Sequence, residues 1–284
     1  MQGNLPRVGE PVVWVESSAI VFVNSVLGAR SNRNTFPVEI ASAITARVPE
    51  DGLLLDENRV GEVLVRMEFQ PTTMFDYNTV GFIIGKQCSG KVPVVEGLPA
   101  WTTANHLKVM GAAAATSGGI ALYHAVGITP EAPTTKVAFK GRTPTSEIAI
   151  QEKHIAAGVE KLNTAKGGNI DAVLVGCPHP SVGEVRELAD LLKGKRVRSE
   201  ARFCLFVSPD TVDLSRQMGY LGVIEAAGVR IFEGGCILSH PIRGWGWKNV
   251  ATNSAKFACT LPSDPYYLGV LYTDIKGCVD AAAR

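Results

Sequence analysis

The sequence carries almost no net charge: 28 basic residues against 27 acidic ones leave +1. Without a basic excess, or a basic stripe interleaved with aromatics, nothing directs it to nucleic acid or to an anionic membrane surface. Its apolar runs are short, and none approaches the roughly 20 residues that a membrane-spanning helix needs. The opening MQGNLPRVGEP has no basic segment followed by an apolar one, so no secretory signal is read there. The spacings C-x-x-C and H-x-x-x-H are missing, which removes the ordinary zinc frameworks. Gly85-x-x-x-x-Gly90-Lys91 is followed by Val92 and lacks the hydroxyl of a phosphate-binding loop. Internal repeats and low-complexity tracts are absent as well. The six cysteines are too few and too scattered in 284 residues for a disulfide scaffold, so a cytoplasmic setting is expected.

What is present is ordinary globular material, 46% hydrophobic and 19% charged, enough for one large domain or two modest ones. The C-terminal half alternates strands with helices. Asp171 to Gly176 reads as a buried strand, and Ser181-x-x-Glu184 opens a helix with Val185, Leu188, Leu191 and Leu192 on one face. Phe203 to Val207 is a second strand. A helix then carries Leu214, Met218, Leu221 and Ile224 on one face and stops at Gly228. Val229 to Phe232 is a third strand, Tyr266 to Tyr272 a fourth, and Asp274 starts a last helix. This alternation predicts an α/β fold of parallel β-α-β units with helices on both faces. In the other half, Pro11 to Val15 and Val63 to Phe69 suggest strands, and Val38 to Arg47 and the Ala-rich His106 to Gly119 suggest helices. The change of composition around PTSEIAIQEKHI places a boundary near residue 143, giving regions 1–143 and 144–284.

Cys177 follows the first strand of the second half directly, and Cys236 follows the third. The C-terminal ends of parallel strands share one sheet edge, where ligand crevices form, so the two thiols are expected to converge. Each is preceded by glycine. The pair reads either as ligands to a metal or an iron–sulfur cluster, or as two small buried residues. Cys204 is assigned to the core, Cys278 to a structural place on the last helix, Cys259 to a loop and Cys88 to the surface. Polar groups surround the apolar centre of residues 14–33, a pattern suited to a small oxygen-rich substrate and equally to helix caps. Lys256, after Thr252-Asn253-Ser254, stands at a helix start where an anion could bind, or is plain surface. His124, in YHAVGITPEA, is read as a satisfied core histidine.

Taken in order, E-S-S-A with N-S-x-x-G-A-R-x-N-R, L-D-E-N-R, H-x-x-G-x-T-P-E-A, G-C-P-H-P-S, the isolated Cys236 and T-N-S-A-K resemble the catalytic part of the aconitase X family over nearly the whole chain. The resemblance implies an aconitase-like α/β fold and a hydro-lyase whose iron centre, a cluster or a single ion, is held by three cysteines. It implies that Cys177 and Cys236 are two of those ligands, that Glu16 and Ser17 contact substrate, and that Lys256 binds it. It further implies a small swivelling subunit or domain as partner and a small hydroxy acid such as cis-3-hydroxy-L-proline as substrate, with phosphomevalonate as the alternative. No general base is identified. The third cysteine is expected in a Cys-Thr-Pro-Tyr segment preceding the stretch matched by Met1-Gln2-Gly3-Asn4, with roughly a hundred further residues upstream. Leu54 stands where the family often has histidine, and Ser31 where it has threonine. The chain is therefore expected to be a truncated frame, a fragment that assembles with another polypeptide, or an inactive relative that serves as a partner-binding protein.

Overall fold

The computed structural model describes residues 5–284. The stretch Met1–Asn4, to which the upstream match was referred, lies outside them. Two compact units divide the chain, one running to Ala156 and the other spanning Ala157–Arg284. The sequence places its boundary near 143, and the strand that follows that position belongs to the sheet of the first unit.

In the N-terminal unit, α1 (Ser17–Ser25) and α2 (Phe36–Thr45) precede β1 (Val63–Met67), α3 (Met74–Cys88), β2 (Pro93–Glu96) and α4 (Ala104–Gly118). Then come β3 (His124–Ala125), the short α5 (Thr135–Ala138) and β4 (Ser146–Ile150). Among the described residues the sheet has the order β3-β2-β1-β4, every pair parallel. Pro11 to Val15, expected as a strand, makes a single bridge from Pro11 to Arg30 instead. A single bridge supplies too few ladder bonds for the segment to persist as a strand.

The Ala-rich helix is α4, and its close packing has a definite cause. A Cβ on Gly118 would sit 1.7 Å from the Gly85 carbonyl oxygen, and one on Gly81 would sit 2.1 Å from that of Met110. Only hydrogens at these positions let the α3 and α4 backbones touch. Cys88, expected at the surface, closes α3 and is 1% exposed. Glycines inside α3 disguise a helix whose last residue is buried although Lys86 and Gln87 before it are exposed.

The helix α6 (Glu152–Leu162) contains the division between the units. The C-terminal unit continues with β5 (Ala172–Val175), α7 (Val182–Leu192), β6 (Arg202–Val207), α8 (Pro209–Gln217), α9 (Tyr220–Ala226) and β7 (Arg230–Glu233). It ends with β8 (Asn249–Thr252), α10 (Ala255–Thr260), β9 (Gly269–Tyr272) and α11 (Ile275–Ala282). The strand order is β7-β6-β5-β8-β9, again all parallel. Val173, Val175, Phe203, Leu205, Val207 and Ala251 join residues of α7, α9 and α11 in one core cluster. Their alternates Ala172, Leu174, Cys204, Phe206 and Val250 are buried too, so both faces of the sheet are covered, as a parallel sheet requires.

Two expectations for this unit need correction. The helix expected across Leu214 to Ile224 is two helices, broken at Gly219 in the left-handed region (φ 78°). Leu214 and Met218 are consequently about half exposed, while Leu221 and Ile224 reach the core. Cys259, assigned to a loop, lies on α10.

Candidate active site at the sheet edge of the C-terminal unit

The chain runs outward from β5 to β6 to β7, then returns to place β8 on the other side of β5. Neighbouring crossovers therefore diverge between β5 and β8, the point at which open α/β sheets bind ligands beyond their C-terminal strand ends. Cys177 sits on the loop after β5, Thr252 ends β8, and Asn253, Ser254 and Lys256 follow it. The two segments are stitched together. Thr252 Oγ1 donates to the Leu174 carbonyl at 2.7 Å, and Ser254 Oγ donates to the Cys177 carbonyl.

The loop carrying Cys177 is built tightly. Gly176 has φ 112°, and a Cβ there would lie 2.0 Å from the Phe206 carbonyl oxygen of β6. Glycine is thus required by both conformation and space. Ser181 and Glu184 then form a full capping box, with Ser181 N and Oγ each donating to Glu184 Oε2 at 2.8 Å. The thiol is held between a strand end and a capped helix start, half-buried.

Cys236 follows β7 after Gly234 and Gly235, both left-handed (φ 68° and 70°). The Gly234 amide donates to the Val207 carbonyl at 2.7 Å, which folds the turn over the end of β6. His179 Nε2 meets the Gly235 carbonyl at 2.9 Å, and since a carbonyl only accepts, that nitrogen carries the proton. The Leu238 amide donates to Cys236 Sγ at 3.4 Å, and Tyr266 OH donates to the Leu238 carbonyl at 3.0 Å. These bonds fix the course of the loop around the sulfur.

The other cysteines differ in kind. Burial pushes the thiols of Cys88 and Cys204 up to about 11, and raises that of Cys278 further still. These three are protonated core residues, as expected for Cys204 and Cys278. Cys177, Cys236 and Cys259, in contrast, are only half-buried.

Lys256 lies in the first turn of α10, after the cap made by Ser254 Oγ on the Phe257 amide (3.2 Å). Glu16 and Ser17 belong to the N-terminal unit, at the start of α1. The Glu16 carboxylate accepts from the Ala19 amide at 2.8 Å, and Ser17 Oγ donates to its other oxygen at 3.4 Å. Glu16 is therefore the N-cap of α1, a structural duty that orients its carboxylate. Among the described residues no three His, Cys, Asp or Glu side chains gather closely enough to hold a metal ion. The residues present offer two soft sulfur donors on tied loops, which suit iron in kind and leave further ligands to be supplied.

Several motifs belong to the N-terminal unit. Arg59 of L-D-E-N-R and Glu131 of T-P-E-A pair with each other inside the N-terminal unit. His124 is 2% exposed and donates through Nε2 to the Arg59 carbonyl at 2.7 Å, the satisfied core histidine the sequence suggests. The tie from His179 to the Cys236 loop went unrecognised in the sequence. Its only signal was the confinement of that histidine between Pro178 and Pro180.

Fold and site together define a parallel α/β protein in which the Cys177 loop, at the topological switch point, is tied to the Cys236 loop beyond β7. The chain belongs to the aconitase X family. Family models match in succession the aconitase X first domain over residues 1–57, the second domain over 61–160 and the third domain over 170–284. The phosphomevalonate dehydratase large subunit of Methanocaldococcus jannaschii is 38% identical over 93% of this chain and 65% of its own length. The cis-3-hydroxy-L-proline dehydratase of Pseudomonas aeruginosa is 35% identical over 97% of this chain and 48% of its own. A crystal structure of Thermococcus kodakaraensis aconitase X, in its holo-form, superposes with a TM-score of 0.89 at 34% identity, covering 99% of this chain and 70% of that one. The chain thus spans from about half to about two thirds of the length of these curated relatives.

Proposed function

We propose that this chain is a large-subunit part of an iron-dependent hydro-lyase that eliminates water from a small hydroxy acid such as cis-3-hydroxy-L-proline. The observation that carries the reading is the tying of the Cys177 loop to both the Lys256 turn and the Cys236 loop, at the switch point of one sheet. Cys177 and Cys236 would hold the iron, whose Lewis acidity would ease departure of hydroxide, a poor leaving group. Lys256 supplies the positive charge that orients a substrate carboxylate or phosphate. Ser17 and the oriented carboxylate of Glu16 are the other substrate contacts we assign. A small subunit or domain is the partner that suits the relatives' name of large subunit. Thiol usage suits a cytoplasmic enzyme.

A second reading takes phosphomevalonate as substrate, favoured by the somewhat higher identity to the archaeal large subunit. Anaerobic reconstitution with iron and sulfide tests the centre. The thiolate-to-iron absorption band is expected in the native chain and absent from Cys177→Ala. Persistence of that band in the variant removes Cys177 from the ligand set. Dehydration of the two substrates, measured with a co-expressed small subunit, separates the readings. Turnover of neither by an iron-loaded complex would mark the chain as a non-catalytic, partner-binding relative.

A further inference from the structure

We propose that His179 is the positioning residue that clamps the Cys236 loop to the Cys177 loop and so presents the two thiols as a pair. The inference rests on the reading of Cys177 and Cys236 as metal ligands.

The strand order creates the need for such a clamp. Cys177 follows β5 and Cys236 follows β7, and β6 lies between them. Adjacent strands are about 4.8 Å apart, so the two loops leave the sheet about 10 Å from each other. A metal–thiolate bond is about 2.3 Å, so one ion holds two sulfurs no more than about 4.6 Å apart. A flat exit from the strands would leave the thiols unable to share one ion.

The structure ties the two loops to each other across the end of β6. The Gly234–Gly235 turn folds back, anchored by the Gly234 amide on the Val207 carbonyl at 2.7 Å. His179, two positions after Cys177, reaches across 56 residues of sequence to the Gly235 carbonyl, one position before Cys236. Pro178 and Pro180 fix the backbone on either side, so the imidazole has little freedom to lose when it makes the bond. Two other bonds of the Cys236 loop, His240 Nδ1 to the Cys236 carbonyl at 2.9 Å and the Leu238 amide to Cys236 Sγ, shape that loop internally. They do not reach the Cys177 side.

Phenylarsine oxide tests the pairing on the reduced, metal-free full chain, because its arsenic condenses with two neighbouring thiols and releases one water. The expected result is one arsenical per chain, mapped by mass spectrometry to Cys177 and Cys236. His179→Ala should weaken this capture about five- to tenfold, the worth of one hydrogen bond. His179→Gln, whose amide still donates, should restore it at an unchanged melting temperature. His179→Asn is too short to reach and provides a second loss variant if alanine proves unstable. Equal capture by the native chain and both loss variants overturns the clamp, and so does failure of glutamine to rescue. If capture depends on His179 but no iron is taken up, the metal reading fails and the clamp stands. Cysteine-dependent iron uptake with capture indifferent to His179 has the opposite meaning.

Discussion

The guanidinium of Arg59 and the carboxylate of Glu131 form a closed ion pair, with Nη2 2.5 Å from Oε1 and Nε 3.0 Å from both oxygens. Arg59 is 1% exposed, and its other donors are also engaged. Nη1 donates to Asn24 Oδ1 at 3.1 Å and to the Leu53 carbonyl at 2.9 Å, and Nη2 donates to the carbonyls of Asn24 and Ala29. Three of the motifs that carry the family resemblance thus meet at one side chain. Their role here is to hold the N-terminal unit together.

Removing one partner of this pair leaves a buried charge uncompensated. Glu131→Gln is expected to lower stability by about 3–5 kcal/mol. Arg59→Lys should cost nearly as much, because an ammonium cannot reproduce the fork geometry. Urea denaturation measured by circular dichroism reads both, and a midpoint unchanged from the native chain would contradict the structural role.

A methyl group on Gly118 would collide with the backbone of α3. Gly118→Ala should force α3 and α4 apart and destabilise the chain by about 1–3 kcal/mol, against the usual helical gain from alanine. Gly90 has open space around it, though its φ of 74° still disfavours alanine. Gly222, on α9 with nothing within 4 Å, is the fair control. Thermal melting of the two variants should separate them clearly.

Burial holds the His124 pKa below its ordinary value, despite the opposing bond to the Arg59 carbonyl. The unfolded chain therefore binds the proton first. Stability is full above about pH 6.5 and falls as pH drops below it, by at most about 1.4 kcal/mol per pH unit from this group. Urea midpoints at pH 7.5 and 5.5 should differ in that sense, and the part of the slope due to this histidine should vanish in a folded His124→Asn variant.

Thiol reactivity should follow burial and ionisation. A small alkylating reagent at pH 8 is expected to modify the half-buried Cys177 and Cys236 well before the buried, raised-pKa Cys88, Cys204 and Cys278. Peptide mapping over a time course checks the order. Early labelling of Cys278 would contradict the core assignment.

The face of α2 offers a different kind of test. Phe36, Ile40 and Ile44 recur at helical spacing and are 64%, 45% and 79% exposed, and no residue of α2 is buried. Ile44→Ser should change the stability of this chain by no more than about 0.5 kcal/mol while improving its solubility. A large loss of stability would mean that this stripe is packed in solution.

Local signals in the sequence were enough for the elements that local chemistry defines. The capping box at Ser181 and Glu184, the short apolar strands β5, β6 and β7, and the placing of both key cysteines directly after strands were legible because caps and buried strands depend on neighbouring residues. The strand β8 was not recognised, since Asn249–Thr252 is short and flanked by polar residues, and only its pairing with β5 and β9 makes it a strand. Burial of Cys88 depends on α3 meeting α4 through glycines that, seen alone, weaken a helix.

The sequence by itself determined the class of fold, the alternation of elements and the two thiols at strand ends, because periodicity, turns and capping act over a few residues. Only the tertiary structure decided the order β7-β6-β5-β8-β9, the assignment of the Arg59 motifs to structural duty, and the tie from His179 to Gly235. Those features join residues dozens of positions apart. Their partners are chosen by burial and hydrogen-bond geometry once the sheets have formed, and no local pattern encodes that choice.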